Sequence, residues 1–373
     1  MPDPAAPRSV AVPPSTGDRS EAPLIVRRFP LGNQWPTVDP FLFVAHHRDA
    51  YPAGNGELGP DASLAGRSLG NDFAGVDGWN MYHGSTVPGF PQHPHRGFET
   101  ITHVRSGLID HADSLGAAAR FGRGDTQWLT ACAGIVHAEM FPLLRTDADN
   151  PLELFQIWLN LPARDKLAEP YFTMLWAEDT PRLVADGVDI TVIAGALTAR
   201  IGGPGAEPTR VEPAAPPPDS WAARPASEVA VWHLRLDGDR PIEIDPAERP
   251  DTRRVLFVSS GTAAVIAGEV VDAGHGVEVD AGRPVVVSGT AAGPVELLVL
   301  QGHPIGEPVV QYGPFVMNDT AGIRTTFDDF ARTGFGGWPW DDDGPTHGPD
   351  DQRFARHPDG REERRAGDPA GGA

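Results

Sequence analysis

The run HPHRGFETITHV (93–104) and the segment GIVHAEM (134–140) decide how this chain folds. On an extended strand, side chains at i and i+2 point to the same face, so His93 and His95 can meet one ion. Further on, His137 and Glu139 repeat that spacing with one imidazole and one carboxylate. Between the pairs come FETITHVRSG, GLIDHADSLG and DTQWLTACAG, divided by Gly-containing turns, and LELFQIWLNL follows. Short strands at such regular spacing indicate an all-β fold, an antiparallel barrel or sandwich. Hairpins between them would let the second pair face the first across a barrel interior.

Three neutral imidazoles and a carboxylate suit a borderline divalent metal and leave two positions of an octahedral shell open. Fe(2+) is the expected occupant, although the same donors accept Mn, Co, Ni, Cu or Zn. A lone histidine is ordinarily just a hydrogen-bonded side chain. Two same-face pairs on strands carry the metal reading. Glu99 competes with Glu139: it lies four residues after His95, on the same face if no bulge intervenes, as a ligand or as an acceptor orienting an imidazole. His103 shares that parity and reads as barrel wall or rim. Phe98 and Met140 have outward parity and read as packing residues. Trp128 and Trp158 read as core, and Gln127 and Gln156 as edge hydrogen-bonding groups.

Residues 1–22 are rich in Pro, Ser, Ala and charge and read as a disordered arm. Residues 51–75 form a long Gly- and Asp-rich loop. A second block of strands follows, from YFTMLWAE to VELLVLQG, interrupted by a Pro-rich insertion at 202–226. It has no matching motif pair, since His233, His275 and His303 stand alone, so its expected role is to cover the first barrel. The segment 320–333 is predicted helical, with Thr320 as cap and Ile323, Phe327 and Phe330 on one stripe. The last forty residues, acidic and then basic, read as a poorly ordered tail.

Composition limits the function classes. The 373 residues include 43 Gly and 39 Pro and carry a net charge of −21, which argues against direct binding to nucleic acid. The single cysteine, Cys132, precludes an intrachain disulfide and suits a reducing compartment. No apolar run approaches a membrane span and the start lacks a signal-type apolar region, so a soluble, cytoplasmic protein is expected.

HPHRGFETITHV, GDTQWLTACAGIVHAEMFP, FQIWLNLPARDKLAEPYF and GEPVVQYGPFVMN closely resemble the pirins, members of the cupin superfamily, from about residue 23 to 331. The resemblance implies a bicupin. Its first barrel, 23–165, would hold the metal; its second, 166–331, would carry the insertion and a helix packed across both barrels; residues 332–373 would form the tail. It also implies His93, His95, His137 and Glu139 as ligands, favouring Glu139 over Glu99. The chain departs from the family in a longer 51–82 segment, in His103 where relatives often carry Tyr, and in the 202–226 insertion. As activity, the resemblance implies a flavonol dioxygenase of the quercetin 2,3-dioxygenase type acting on a small aromatic substrate, for which Glu139 is the favoured catalytic base and Glu99 the alternative. Its alternative is a non-catalytic iron- or redox-sensing protein, such as a transcriptional co-regulator, that acts through a protein partner.

Overall fold

The computed structural model describes residues 22–365. Residues 1–21 of the expected 1–22 arm, and residues 366–373, lie outside that range.

Strands dominate, arranged as two barrels, each made of two antiparallel sheets. In the first barrel, one sheet centres on Phe98–Ser106, paired on one side with Leu152–Asn160 and on the other with Thr126–Thr130. The opposing sheet runs through Gly89–His95, Ile135–Met140, Leu108–Asp113 and Ala118–Gly122. The second barrel repeats the plan around Ala230–Leu236, Arg253–Ser260 and Val295–Gly302.

Alternation decides what each strand face covers. On Phe98–Ser106, Val104 joins the first barrel's own core, whereas Ile101 belongs to a different apolar cluster. There Trp35, Ile101, Trp128, Phe155 and Ile157 of the first barrel pack against Val231, Val255, Phe257 and Leu298 of the second. Sheet-on-sheet contact of this kind welds the barrels, each buried large apolar side chain contributing about 1.5–3 kcal/mol. The second barrel's interior is filled by Val, Leu, Ile and Ala with Trp232. It is a packed core with no group of His, Cys, Asp or Glu arranged to hold a metal, the described residues offering such a group only in the first barrel.

Several boundaries depart from the sequence reading. Ile25–Pro30, expected in the first barrel, pairs with His275–Asp280 of the second. Tyr171–Leu175, expected in the second, extends the first barrel's sheet because Phe172 and Met174 bury into that core. The tail is ordered as far as Arg365: Arg353–Arg356 pairs with Ala118–Gly122, and Glu362–Arg365 pairs with Arg353–Arg356. An ion pair fastens it, Arg353 meeting the fully buried Asp125 at 2.7 Å.

The helix spans Thr320–Thr333, but Asp319 caps it, its carboxylate accepting from Gly322 N at 2.7 Å. Ile323 is buried and Phe330 packs on the cluster of Val136, Phe315 and Phe335, while Phe327 touches Phe315 and is partly exposed. The helix thus lodges on the first barrel, where Arg96 reaches Asp329 at 2.9 Å, in place of the expected position across both. The Pro-rich insertion bridges the two barrels, since Ser220 donates to Glu99 Oε2 at 2.7 Å and Arg224 meets Asp165 at 2.7 Å.

Candidate metal centre

Gly89–His95 and Ile135–Met140 are adjacent antiparallel strands, with His93 directly opposite His137. The two motifs therefore meet side by side on one sheet and not across the barrel. The imidazoles of His93, His95 and His137 each place a ring nitrogen within 4.8 Å of the others. Nδ1–H of His93 donates to the Pro91 carbonyl at 2.9 Å, and Nδ1–H of His95 leans on the Pro314 carbonyl at 3.4 Å. These tethers turn Nε2 of both rings toward the cluster.

Buried polar atoms normally find partners. Here Nε2 of His95 and both ring nitrogens of His137 have none. Burial holds His93 down at about 4 and pushes His95 and His137 well below the usual imidazole range, with the neighbouring rings adding to the effect. Three neutral, convergent imidazoles, two of them with buried ring nitrogens that have no partner, are the donor set a borderline divalent ion requires, so these residues fit a metal.

Glu139 stands beside them, its Oε2 3.9 Å from Nε2 of His137. Gln156 donates to Oε2 at 2.7 Å, and the Thr102 hydroxyl lies 3.4 Å from Oε1. Trp158 Nε1 donates in turn to Gln156 Oε1 at 3.3 Å. Burial raises the Glu139 carboxyl above its ordinary range, against the opposing pull of His111 and these hydrogen bonds. Gln156, expected to bond at an edge, is thus a site residue. Trp158 stacks on Phe98 at 4.0 Å and meets the edge of His95 at 5.2 Å, closing one side of the centre.

Glu99 is elsewhere. Parity from His95 does not reach it, because the chain crosses from one sheet to the other at Arg96-Gly97. Gly97 makes that corner at φ +87°, where a Cβ would collide with the Val316 carbonyl at 2.0 Å. Glu99 then faces the junction and accepts from Trp128 Nε1, Thr130 and Ser220. Burial pushes it up to about 7 despite these donors. His103 shares that face and bonds Thr126 Oγ1 at 2.8 Å.

The sequence reading missed His111. It lies directly opposite Glu139 in the sheet, with its ring 5.5 Å from that of His137. Nε2 bonds Asp113 Oδ2 at 3.0 Å, and Nδ1 is buried without a partner. The available signal was the HAD of LIDHAD, a third same-face pair. Gln127 is also inside the barrel, opposite Thr102, with both amide atoms unpartnered.

The long 51–82 segment is folded against the flank of the centre. Arg67 pairs with Asp72 at 2.9 Å and lies over the Trp79 ring, while Tyr82 stacks on Phe90, whose ring is 6.3 Å from that of His93. Phe73, half-exposed, touches both Tyr82 and Phe90.

Residues 25–159 match the Pirin family, and residues 231–336 match the Pirin C-terminal cupin domain. A Pseudomonas aeruginosa protein named "Putative quercetin 2,3-dioxygenase" is 36% identical over 249 residues, 66% of this chain and 79% of its own length. Pirin-1 of Arabidopsis thaliana is 37% identical over 256 residues, 67% of this chain and 80% of its own. Among solved structures, the quercetin 2,3-dioxygenase of Acinetobacter baumannii superposes with a TM-score of 0.64 at 22% identity, over 84% of this chain and 98% of that one, a likeness of fold. No described helix is long and apolar enough to cross a membrane. With both family domains in order along two cupin barrels and the histidine cluster in the first, the chain belongs to the pirin family.

Proposed function

We propose that this chain is an iron-dependent oxygenase of the quercetin 2,3-dioxygenase type, acting on a flavonol. The observation that carries the reading is a buried carboxylate, raised by burial, beside three clustered imidazoles, with Nε2 of His95 and both ring nitrogens of His137 buried without a partner. The naming of the Pseudomonas aeruginosa relative supports the same class.

His93, His95, His137 and Glu139 would hold the ion, which supplies Lewis acidity toward a substrate hydroxyl. Glu139 is suited to take the proton from that hydroxyl: a carboxyl raised above its ordinary range is a stronger base than a solvated one. Gln156 and Thr102 hold its two oxygens, so the carboxylate does not rotate freely while it exchanges a proton. Trp158 and Phe98 exclude water on one side of the imidazoles, and Phe90, Tyr82 and Phe73 form an aromatic flank that suits a planar ring system.

The test is aerobic incubation of iron-loaded protein with quercetin, following flavonol absorbance and released carbon monoxide. Loss of quercetin with matching carbon monoxide is expected. Absence of both with iron, manganese, cobalt, nickel and copper alike would sink the reading.

A further inference from the structure

The junction between the barrels holds a second feature that the metal reading does not use. Beside the apolar weld lies a cavity of about 170 Å³, walled by His103, Arg105 and Arg123 from the first barrel and by Arg182, His233 and Arg235 from the second. In a chain of net charge −21, this is a concentration of positive charge.

The neighbouring carboxylates do not cancel it. Arg105 meets Glu296 at 3.0 Å, and Arg235 approaches the same carboxylate at 3.9 Å. Arg182 is paired with Asp189, and Arg123 with Asp351 at 3.4 Å. Four guanidiniums therefore share three carboxylates. Glu153, the next acid along, is taken by His46 at 3.0 Å. His103 spends Nδ1 on Thr126, which leaves Nε2 for the cavity, and the ring of His233 lies 6.0 Å from that of His103. The field is felt by an acid beside the cavity: burial alone would raise Glu296, yet His233 and Arg105 hold it at about 2, and the carboxylate that does line the wall, Asp189, is the one paired with Arg182.

We propose that this cavity is a binding site for a phosphate-type anion, either inorganic phosphate or the phosphate of a small phosphomonoester, gripped by arginines of both barrels. A guanidinium offers its N–H groups as a flat fork that matches phosphate oxygens, and a tetrahedral anion can accept from several forks at once. A monocarboxylate offers two acceptor oxygens where phosphate offers up to four, so it engages fewer forks. The cavity has room for about five or six waters' share of liquid volume, which suits a phosphate with a few waters or a short ester. An anion held from both sides also ties the two barrels together, so its binding raises thermal stability.

The experiment titrates the full-length protein with inorganic phosphate and, in a parallel arm, with glycerol 3-phosphate. Both arms are run by calorimetry at ionic strength matched with potassium chloride. Saturable one-to-one binding in either arm is expected, and the ratio of the two affinities tells free phosphate from a phosphomonoester. The double variant Arg182→Gln/Arg235→Gln removes two half-exposed guanidiniums from the second barrel's wall. It should bind about tenfold more weakly or worse, as the loss of a charge-assisted hydrogen bond implies. Arg210→Gln, an exposed residue paired with Glu212 and not part of the cavity wall, should bind as the parent does. The melting temperature of each variant without ligand reports whether it is folded. Heats no larger than those of chloride alone, or equal weakening in Arg210→Gln, would overturn the site. So would unchanged binding in the folded double variant. Metal content plays no part in the readout, so failure here is distinct from failure of the oxygenase reading.

Discussion

Gln156 connects the metal centre to the strand beside it, passing a hydrogen bond from Trp158 to Glu139. Groups that orient a ligand or base in this way typically change affinity or activity by about 10- to 100-fold when removed. Gln156→Leu should therefore keep its metal, as elemental analysis reads, while quercetin turnover falls within that range; unchanged turnover would show that Glu139 needs no such hold. Glu99 makes a separate prediction. Its carboxyl is raised in the folded protein from an ordinary value of 4.5 to about 7. The folded state then binds the proton more tightly than the unfolded chain. This contribution is fully present below about pH 4.5 and is lost as pH rises through about 7, with a slope of up to about 1.4 kcal/mol per pH unit between. Glu99→Gln, which mimics the protonated form, should flatten that decline in urea melts recorded from pH 5 to 8, with metal content unchanged. The His93/His95 and His137/Glu139 pairs were legible in sequence because a strand's period of two leaves no choice of face. Glu99 was not legible, because its parity argument ran through a corner between two sheets. His111 was missed because one histidine two residues before an aspartate looks like any buried imidazole until its strand is seen beside Ile135–Met140.

At the scale of elements, the hairpin Arg353–Arg356 and Glu362–Arg365 covers the edge strand Ala118–Gly122. An uncovered edge is a template for pairing with other chains. Truncation after residue 351 would expose that edge and leave Asp125 buried without Arg353, a loss of about 3–5 kcal/mol by the usual penalty for half of a buried pair. The truncated protein should melt earlier and self-associate in analytical ultracentrifugation; a monomer of unchanged stability would count against this account of the hairpin. Nothing local marks these strands, since RFAR and EERR are four-residue runs of ordinary charge. Their conformation comes from the strand they join and from the ion pair beneath it. The helix was legible from its stripe; its cap was misassigned by one residue, and its seat on the first barrel alone was not foreseen. Asp319→Ala should cost about 1 kcal/mol in thermal melts, while Thr320→Ala costs little.

For the molecule as a whole, the two barrels share a plan and differ in what fills them. Aliphatic side chains close the second. The first keeps buried imidazole, hydroxyl and amide atoms without partners, a cost that a bound ion offsets. Loading the protein with Fe(2+) should therefore raise its melting temperature, and a chelator should reverse the gain. Free metal at a thousand times its dissociation constant would add about 4 kcal/mol, and His137→Ala should abolish the difference. The overall two-barrel plan was readable from strand spacing together with resemblance. The exchange of segments between barrels was not, because nothing local in Ile25–Pro30 says which sheet it will join.

That exchange has a consequence for the order of events during synthesis. Tyr171–Leu175 is made before every second-barrel strand except Ile25–Pro30, yet the edge at Ala118–Gly122 waits for the hairpin that ends at Arg365. At ribosomal rates of about 5–20 residues per second, the roughly 190 intervening residues take about 10 to 40 s. Over that interval the nascent first half carries an unsealed edge, and it is in this window that a chaperone or a neighbouring nascent copy would find it.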